Sequence, residues 1–266
     1  MSEYFTTLTV ALGKFVDALQ TQSQEHIKPL HWHLACRLVV EGGFRPEQIT
    51  PTPPFHVEST GTGSNRRHRL IYDESQAKAG EQVILGGLKT KNVDVVISTK
   101  ELGPCLAISV KGTVGAFRNL TNRMEEAVGD CTNLHISYPT LVYGFLHVIK
   151  ANREDESSNL NDVAILSNGS VADNIKRYHD TMARLTNRVD VRNEASRYEA
   201  VALALVHTAA ANRGELLVNY PQSDSLLLFE KFFPTLYRMY DLRFVYSAPA
   251  LKSVTERLTQ LPQRLT

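Results

Sequence analysis

Two runs of alternating residues, 92–98 (Asn-Val-Asp-Val-Val-Ile-Ser) and 105–111 (Cys-Leu-Ala-Ile-Ser-Val-Lys), stand six residues apart. The connection carries Leu102-Gly103-Pro104, and β-branched runs joined by such a turn predict an antiparallel hairpin. Alternate strand residues share a face, and directly opposed residues of a hairpin share it too. With the turn centred on Leu102-Gly103, Asp94 is expected opposite Lys111 and Val96 opposite Ser109. One face then presents Asp94, Ser109 and Lys111, while Val93, Val95, Ile97, Leu106, Ile108 and Val110 turn into the core. A carboxylate and an ammonium side by side at the end of a hairpin are either an ion pair or an active site.

The rest of the chain supplies layers to cover that hairpin. Phe5, Leu8, Leu12, Phe15, Val16 and Leu19 recur at three and four and predict a helix over about 4–19. A second helix is expected over about 29–41, closed by Gly42-Gly43, and four prolines within 46–54 make an extended connection. Short strands are expected at 68–72 and 82–85, a helix at 116–128 and a strand at 141–149. A polar loop at 150–161 leads to a strand at 163–166, helices at 170–187 and about 193–212, a strand at 215–219, a helix at 225–240 and a strand at 243–246. Strands and helices mingle throughout, so the expected class is α/β with a mixed central sheet flanked by helices.

The predicted 116–128 helix adds a second carboxylate. At about 100° per residue, an apolar face centred on Met124 puts Glu125 on the flank nearest Asp94 and Lys111 and turns Glu126 into solvent. Two carboxylates around one spot suit a hard divalent cation such as Mg²⁺, which takes oxygen ligands and keeps waters. A lysine beside them can hold or deprotonate an attacking water and offset phosphate charge.

These residues resemble the PD-(D/E)xK nuclease core, in the variant where Ser replaces the middle acid and a carboxylate from the next helix takes over. The spacing of Ser109, Lys111, Arg118, Arg123 and Glu125 is similar to that of type II restriction endonucleases cutting CCGG-containing sites. The resemblance covers about 35 residues. It implies a restriction-endonuclease-like fold, metal-binding roles for Asp94 and Glu125, a catalytic set of Asp94, Ser109, Lys111 and Glu125, and Arg118 and Arg123 near the DNA. It also makes Glu41 an alternative or additional metal ligand, because nucleases of this fold often bring a helical Glu from before the core; the other reading of Glu41 is a helix-end carboxylate in solvent. Departures limit the transfer. Only 17 positions separate Asp94 from Lys111, fewer than in that subgroup, and Val93 stands where the family often has Pro. The subgroup's base-reading Arg and Asp fall on Gly115 and Phe117, so CCGG recognition is not carried over.

Charge restricts where a nucleic acid can bind, since 29 Lys and Arg face 28 Asp and Glu. Contacts must be local, and Arg66, Arg67 and Arg69 after Gly-Thr-Gly-Ser-Asn form the best candidate phosphate-gripping loop, or else a solvated turn. Lys176, Arg177, Arg184 and Arg188 are expected on the polar side of their helix, facing water or else DNA, and His31 and His33 at the core edge and surface, because residues two apart on a helix do not converge. Three scattered cysteines make neither a disulfide framework nor a zinc motif, no run approaches the roughly 20 apolar residues of a membrane span, and the first residues lack a signal-peptide pattern. The expectation is a cytoplasmic single endonuclease domain over 1–266, with a helical part at 1–45, a catalytic core at about 65–150 and an α/β part at 160–266. It would act on double-stranded DNA with Mg²⁺, as a homodimer because a two-fold symmetric site needs two active sites. A structure-specific or RNA-directed nuclease on the same core, or a catalytically silent DNA-binding module, are the alternatives.

Overall fold

A computed structural model describes residues 3–18 and 24–252. Its centre is a five-stranded mixed sheet in the order β1 (Ile49–Thr50), β6 (Val95–Thr99), β7 (Gly103–Thr113), β8 (Val142–Lys150) and β9 (Ala200–Val206). The pairs β1·β6 and β6·β7 are antiparallel, whereas β7·β8 and β8·β9 are parallel. Parallel neighbours need crossover connections, and these contain α3 (Leu120–Ser137) and α4 (Asp173–Leu185).

Both faces of the sheet are covered. On one side Val95, Ile97, Leu106, Ile108 and Val110 join α1 (Leu8–Val16), α2 (Lys28–Val40) and α5 (Phe229–Arg243) in one buried cluster. On the other, Val96, Ala107, Tyr143 and Phe145 pack with α3 and α4. Two ribbons stand apart from the sheet: β2 (Phe55–Thr60) with β3 (Arg67–Tyr72), and β4 (Gln82–Leu85) with β5 (Thr90–Val93). The second ribbon docks on α3, where a Cβ on Gly86 would stand 2.2 Å from Asn133 Nδ2. Asn133 Oδ1 accepts there from the amides of Leu88 and Lys89.

Several expectations are corrected. The 92–98 run is not one strand: it breaks at Asp94, with β5 pairing to β4 and β6 pairing to β1 and β7. The hairpin register puts Val96 opposite Ala107 instead of Ser109, and it shifts again between Ile97 and Ser98. The main slip is two residues, which conserves parity within β6 and β7; Asp94, Ser109 and Lys111 line one cleft, while Val93, expected beside Val95 and Ile97, packs in the opposite layer with Val96. Helix α3 runs on to Ser137 because its later polar residues find partners, Asp130 with Lys91 and Asn133 with the ribbon. The 193–212 helix is replaced by β9. Its alanines favour a helix locally, but Ala200, Ala202 and Ala204 face α5 while Val201, Leu203 and Leu205 face the other layer, so a strand buries both sets. No strand forms at 163–166, 215–219 or 243–246; only single bridges form at Ile165 and Leu216, and α5 continues to Arg243. The expected first helix shortens to Leu8–Val16, and Leu19 lies outside the described residues. No helix among the described residues is long and apolar enough to cross a membrane.

Candidate active site

The break at Asp94 opens a cleft of about 480 Å³ at the end of the β6–β7 hairpin, lined among others by Glu81, Lys91, Asp94, Ser109, Lys111, Arg123, Glu126 and His147. Strand β7 delivers Ser109 and Lys111 on alternate positions, and the parallel register sets His147 of β8 beside Lys111. Gly112, next to Lys111, is needed for close approach, since a Cβ there would come within 2.6 Å of the Phe15 ring.

Asp94 is held by one oxygen and only faced at the other. Its Oδ2 accepts from the Val110 amide at 2.7 Å, and Oδ1 lies 3.6 Å from His31 Nε2, beyond hydrogen-bond reach. Burial pushes its carboxyl up to about 6, against the pull of the Val110 amide and of Lys91 and Lys111. Burial likewise lowers His31 to about 4, and its Nε2 has no hydrogen-bond partner.

Lys111 meets Glu126, with Nζ 3.2 and 3.1 Å from the two carboxylate oxygens. Both side chains remain open to solvent, at 41% and 51% exposure, so this pair adds little to folding, about 0–1 kcal/mol. The expected helix-borne carboxylate is therefore displaced by one residue: Glu125 is exposed and does not line the cleft, while Glu126 does. Ser109 Oγ lies 2.7 Å from the Tyr143 hydroxyl, whose proton burial retains by raising its pKa.

Arg123 does line the cleft. Its guanidinium donates to Thr113 Oγ1 at 2.9 Å, and that hydroxyl is 2.8 Å from His147 Nε2. Burial lowers His147 to about 3, so it is neutral and its Nε2 can accept the threonine proton. The 3-10 turn Phe117–Asn119 contains Arg118, whose side chain lies outside what the structure describes.

Other expected site residues lie elsewhere. Glu41 closes α2 and is clamped by Arg37 at 2.8 and 3.0 Å, a local pair outside the cleft. Arg67 and Arg69 are not in a loop but alternate along β3 on one exposed face, with Arg66 just before it. None of the three makes an ion pair among the described residues. His31 and His33 are both buried, so neither is a surface residue, and His33 Nδ1 bonds the Thr6 carbonyl at 3.0 Å. Arg188 is also buried, and the solvated-face reading fails for it.

Glu126, Glu81, His31 and His147 are cleft or near-cleft groups that the sequence reading did not place. The alternation of Phe145 and His147 along β8 was a usable signal for the last; nothing local marks the other three. Compared with protein-family models and with curated proteins, the chain finds no match.

Proposed function

We propose that the chain is a Mg²⁺-dependent type II restriction endonuclease that hydrolyses phosphodiester bonds of double-stranded DNA at a short specific sequence, on a restriction-endonuclease-like fold. The observation that carries this reading is the set of groups in one cleft: a lysine ammonium, a largely buried aspartate at the break before the adjoining hairpin strand, and a glutamate from the crossover helix. A purely structural ion pair would not require the third group.

The donor set fits a hard cation. Asp94 and Glu126 both line the cleft, although no three metal-ligating side chains stand together among the described residues. Asp94 and Glu126 would hold Mg²⁺, which when bound lowers the pKa of a water and polarises a phosphoryl oxygen. Lys111 then orients the attacking water and offsets charge growing on the phosphoryl oxygens. Arg123, kept in place by Thr113, offers its remaining N–H groups to a phosphate entering the cleft. Arg66, Arg67 and Arg69 supply counterion-releasing contacts along the duplex, and a homodimer brings two such clefts to a two-fold symmetric site.

The test is a digest of a mixed-sequence plasmid in Mg²⁺, followed by run-off sequencing of the ends. Discrete fragments with defined ends are expected. A smear would point to a nuclease without sequence choice, and sequence-specific binding with no cleavage would make the protein a binding module.

A further inference from the structure

We propose that Thr113 and His147 are positioning residues that hold the Arg123 guanidinium, with its charge unpaired, for a phosphate group entering the cleft beside Lys111. This rests on the phosphodiester-cleaving reading above and adds how its anion-binding cation is held and why it is free. The lysines and arginines lining the cleft are Lys91, Lys111 and Arg123. Lys91 is paired with Asp130 and Lys111 with Glu126, whereas Arg123 makes no ion pair among the described residues.

The way Arg123 is held keeps that charge available. Its Nη1 donates to Thr113 Oγ1 at 2.9 Å, and arginine has no lone pair to offer in return, so the threonine is the acceptor there. The threonine proton is then directed to His147 Nε2, 2.8 Å away. Burial, with Arg123 and Lys111 nearby, lowers His147 to about 3, so the chain from Arg123 through Thr113 ends on a neutral acceptor. A carboxylate in place of the hydroxyl would fix the guanidinium as firmly but cancel the charge that an incoming phosphate needs.

Position and cost both point to a role beyond folding. Thr113 follows Lys111 by two positions on β7 and shares its side of the strand, which tethers the guanidinium about 7 Å along the strand from the ammonium. His147 stands beside Lys111 in the parallel register. Thr113 and His147 are 1% and 0% exposed, and β8 around the histidine is otherwise apolar, with Phe145, Leu146, Val148 and Ile149. A half-exposed arginine can satisfy its N–H groups with water, so the fold has no need of two buried polar side chains beneath it. What they add is a guanidinium already fixed in place, which has less freedom to lose when the anion arrives.

The experiment titrates the metal-free full chain, carrying ¹⁵N-labelled arginine, with inorganic phosphate at constant ionic strength and follows the guanidinium resonances by NMR. One resonance, missing in Arg123→Lys, is expected to show hindered rotation before phosphate is added and to shift as phosphate binds. Thr113→Val, which lacks the hydroxyl, should lose at least about tenfold in phosphate affinity, and Thr113→Ser, which keeps it, should stay within about twofold of wild type. Should Thr113→Val not fold, rotation in phosphate-free wild type decides, and a freely turning Arg123 guanidinium overturns the proposal. No shift of the Arg123 resonance, unchanged affinity in folded Thr113→Val, or equal losses in the Ser and Val variants overturns it too. A duplex oligonucleotide that displaces the phosphate identifies the DNA backbone as the source of the group. Plasmid cleavage is scored on the same samples: phosphate held at Arg123 but undisturbed by duplex, with no cutting, leaves the positioning pair and sinks the nuclease, and cutting with no phosphate at Arg123 does the reverse.

Discussion

Asp94 and Glu199 are both carboxylates withdrawn from water at the central sheet, and their surroundings could hardly differ more. Glu199, just before β9, is fully buried and surrounded by donors. Its Oε1 pairs with Arg188 at 2.9 Å and with Arg243 at 2.6 Å, and its Oε2 accepts the Tyr143 amide at 2.6 Å, with His135 at 3.7 Å. Arg188 in turn donates to the carbonyls of Pro139, Val191 and Glu194. Burial alone would raise Glu199, but His135, Arg243 and the Tyr143 amide outweigh it and hold the carboxyl below its usual range. Asp94 takes the Val110 amide and faces His31 at 3.6 Å much as Glu199 faces His135, but it has no guanidinium, and it rises to about 6. A buried charge answered by two guanidinium groups ties elements together; one without such a partner keeps a raised pKa and is suited to chemistry.

The largest expected effect breaks the Glu199 network. Glu199→Ala leaves two buried arginines without a countercharge and should cost about 3–5 kcal/mol of stability in urea unfolding. A loss under about 1 kcal/mol would erase the contrast. The converse change is Asp94→Asn, which keeps an acceptor for the Val110 amide and removes the buried charge. A folded-state carboxyl raised from 3.8 to about 6 opposes folding by up to about 3 kcal/mol at neutral pH. The handicap is absent below about 4, grows as pH rises, and is full above about 6. Metal-free Asp94→Asn should therefore melt higher than wild type at pH 7.5, match it near pH 4, and have no nuclease activity. Equal melting at both pH values would mean that Asp94 is already satisfied.

Lys111→Arg keeps the charge and the exposed pairing with Glu126 but substitutes a planar, effectively permanent cation. Folding and DNA binding should be normal and cleavage at least about a hundredfold slower. A variant cutting at more than a tenth of the wild-type rate would reduce Lys111 to a surface cation. On the helix, Glu126→Gln should lower cleavage about tenfold while Glu125→Gln stays within about twofold, roughly 1.4 against 0.4 kcal/mol; the reverse order would return the role to Glu125. The smallest effect lies outside the cleft. Arg67→Ala should weaken DNA binding evenly across sequences and reduce the salt slope by about one, whereas an altered sequence preference would make the β2–β3 ribbon a base reader.

The site was half legible in the chain. Asp94, Ser109 and Lys111 meet in one cleft despite a wrong register, since a two-residue slip conserves parity within β6 and β7. The choice between Glu125 and Glu126 did not survive. It depended on where the buried face of α3 is centred, and that face gains Asp130, Cys131 and Leu134 beyond the expected end of the helix. The entry through a 3-10 turn at Phe117–Asn119 adds to the error, because its residues advance by about 120° and not 100°. Together they turn Glu126 toward the sheet and Glu125 away.

Local periodicity alone determined that β6 and β7 pair antiparallel, and the helices α1, α2, α4 and α5 to within a turn or so at their ends, because alternation and the three-to-four spacing are properties of neighbouring residues. Tertiary structure decided the rest. Packed between two layers, Ala200–Val206 became a strand although its alanines favour a helix. Arg188, read as solvated, was drawn inside by Glu199, 11 positions away, and His31 was brought to Asp94 across 63 positions of chain. Charged and polar side chains take their roles from partners distant in sequence, since burial is tolerated only where a partner stands, and no local pattern records which partner that is.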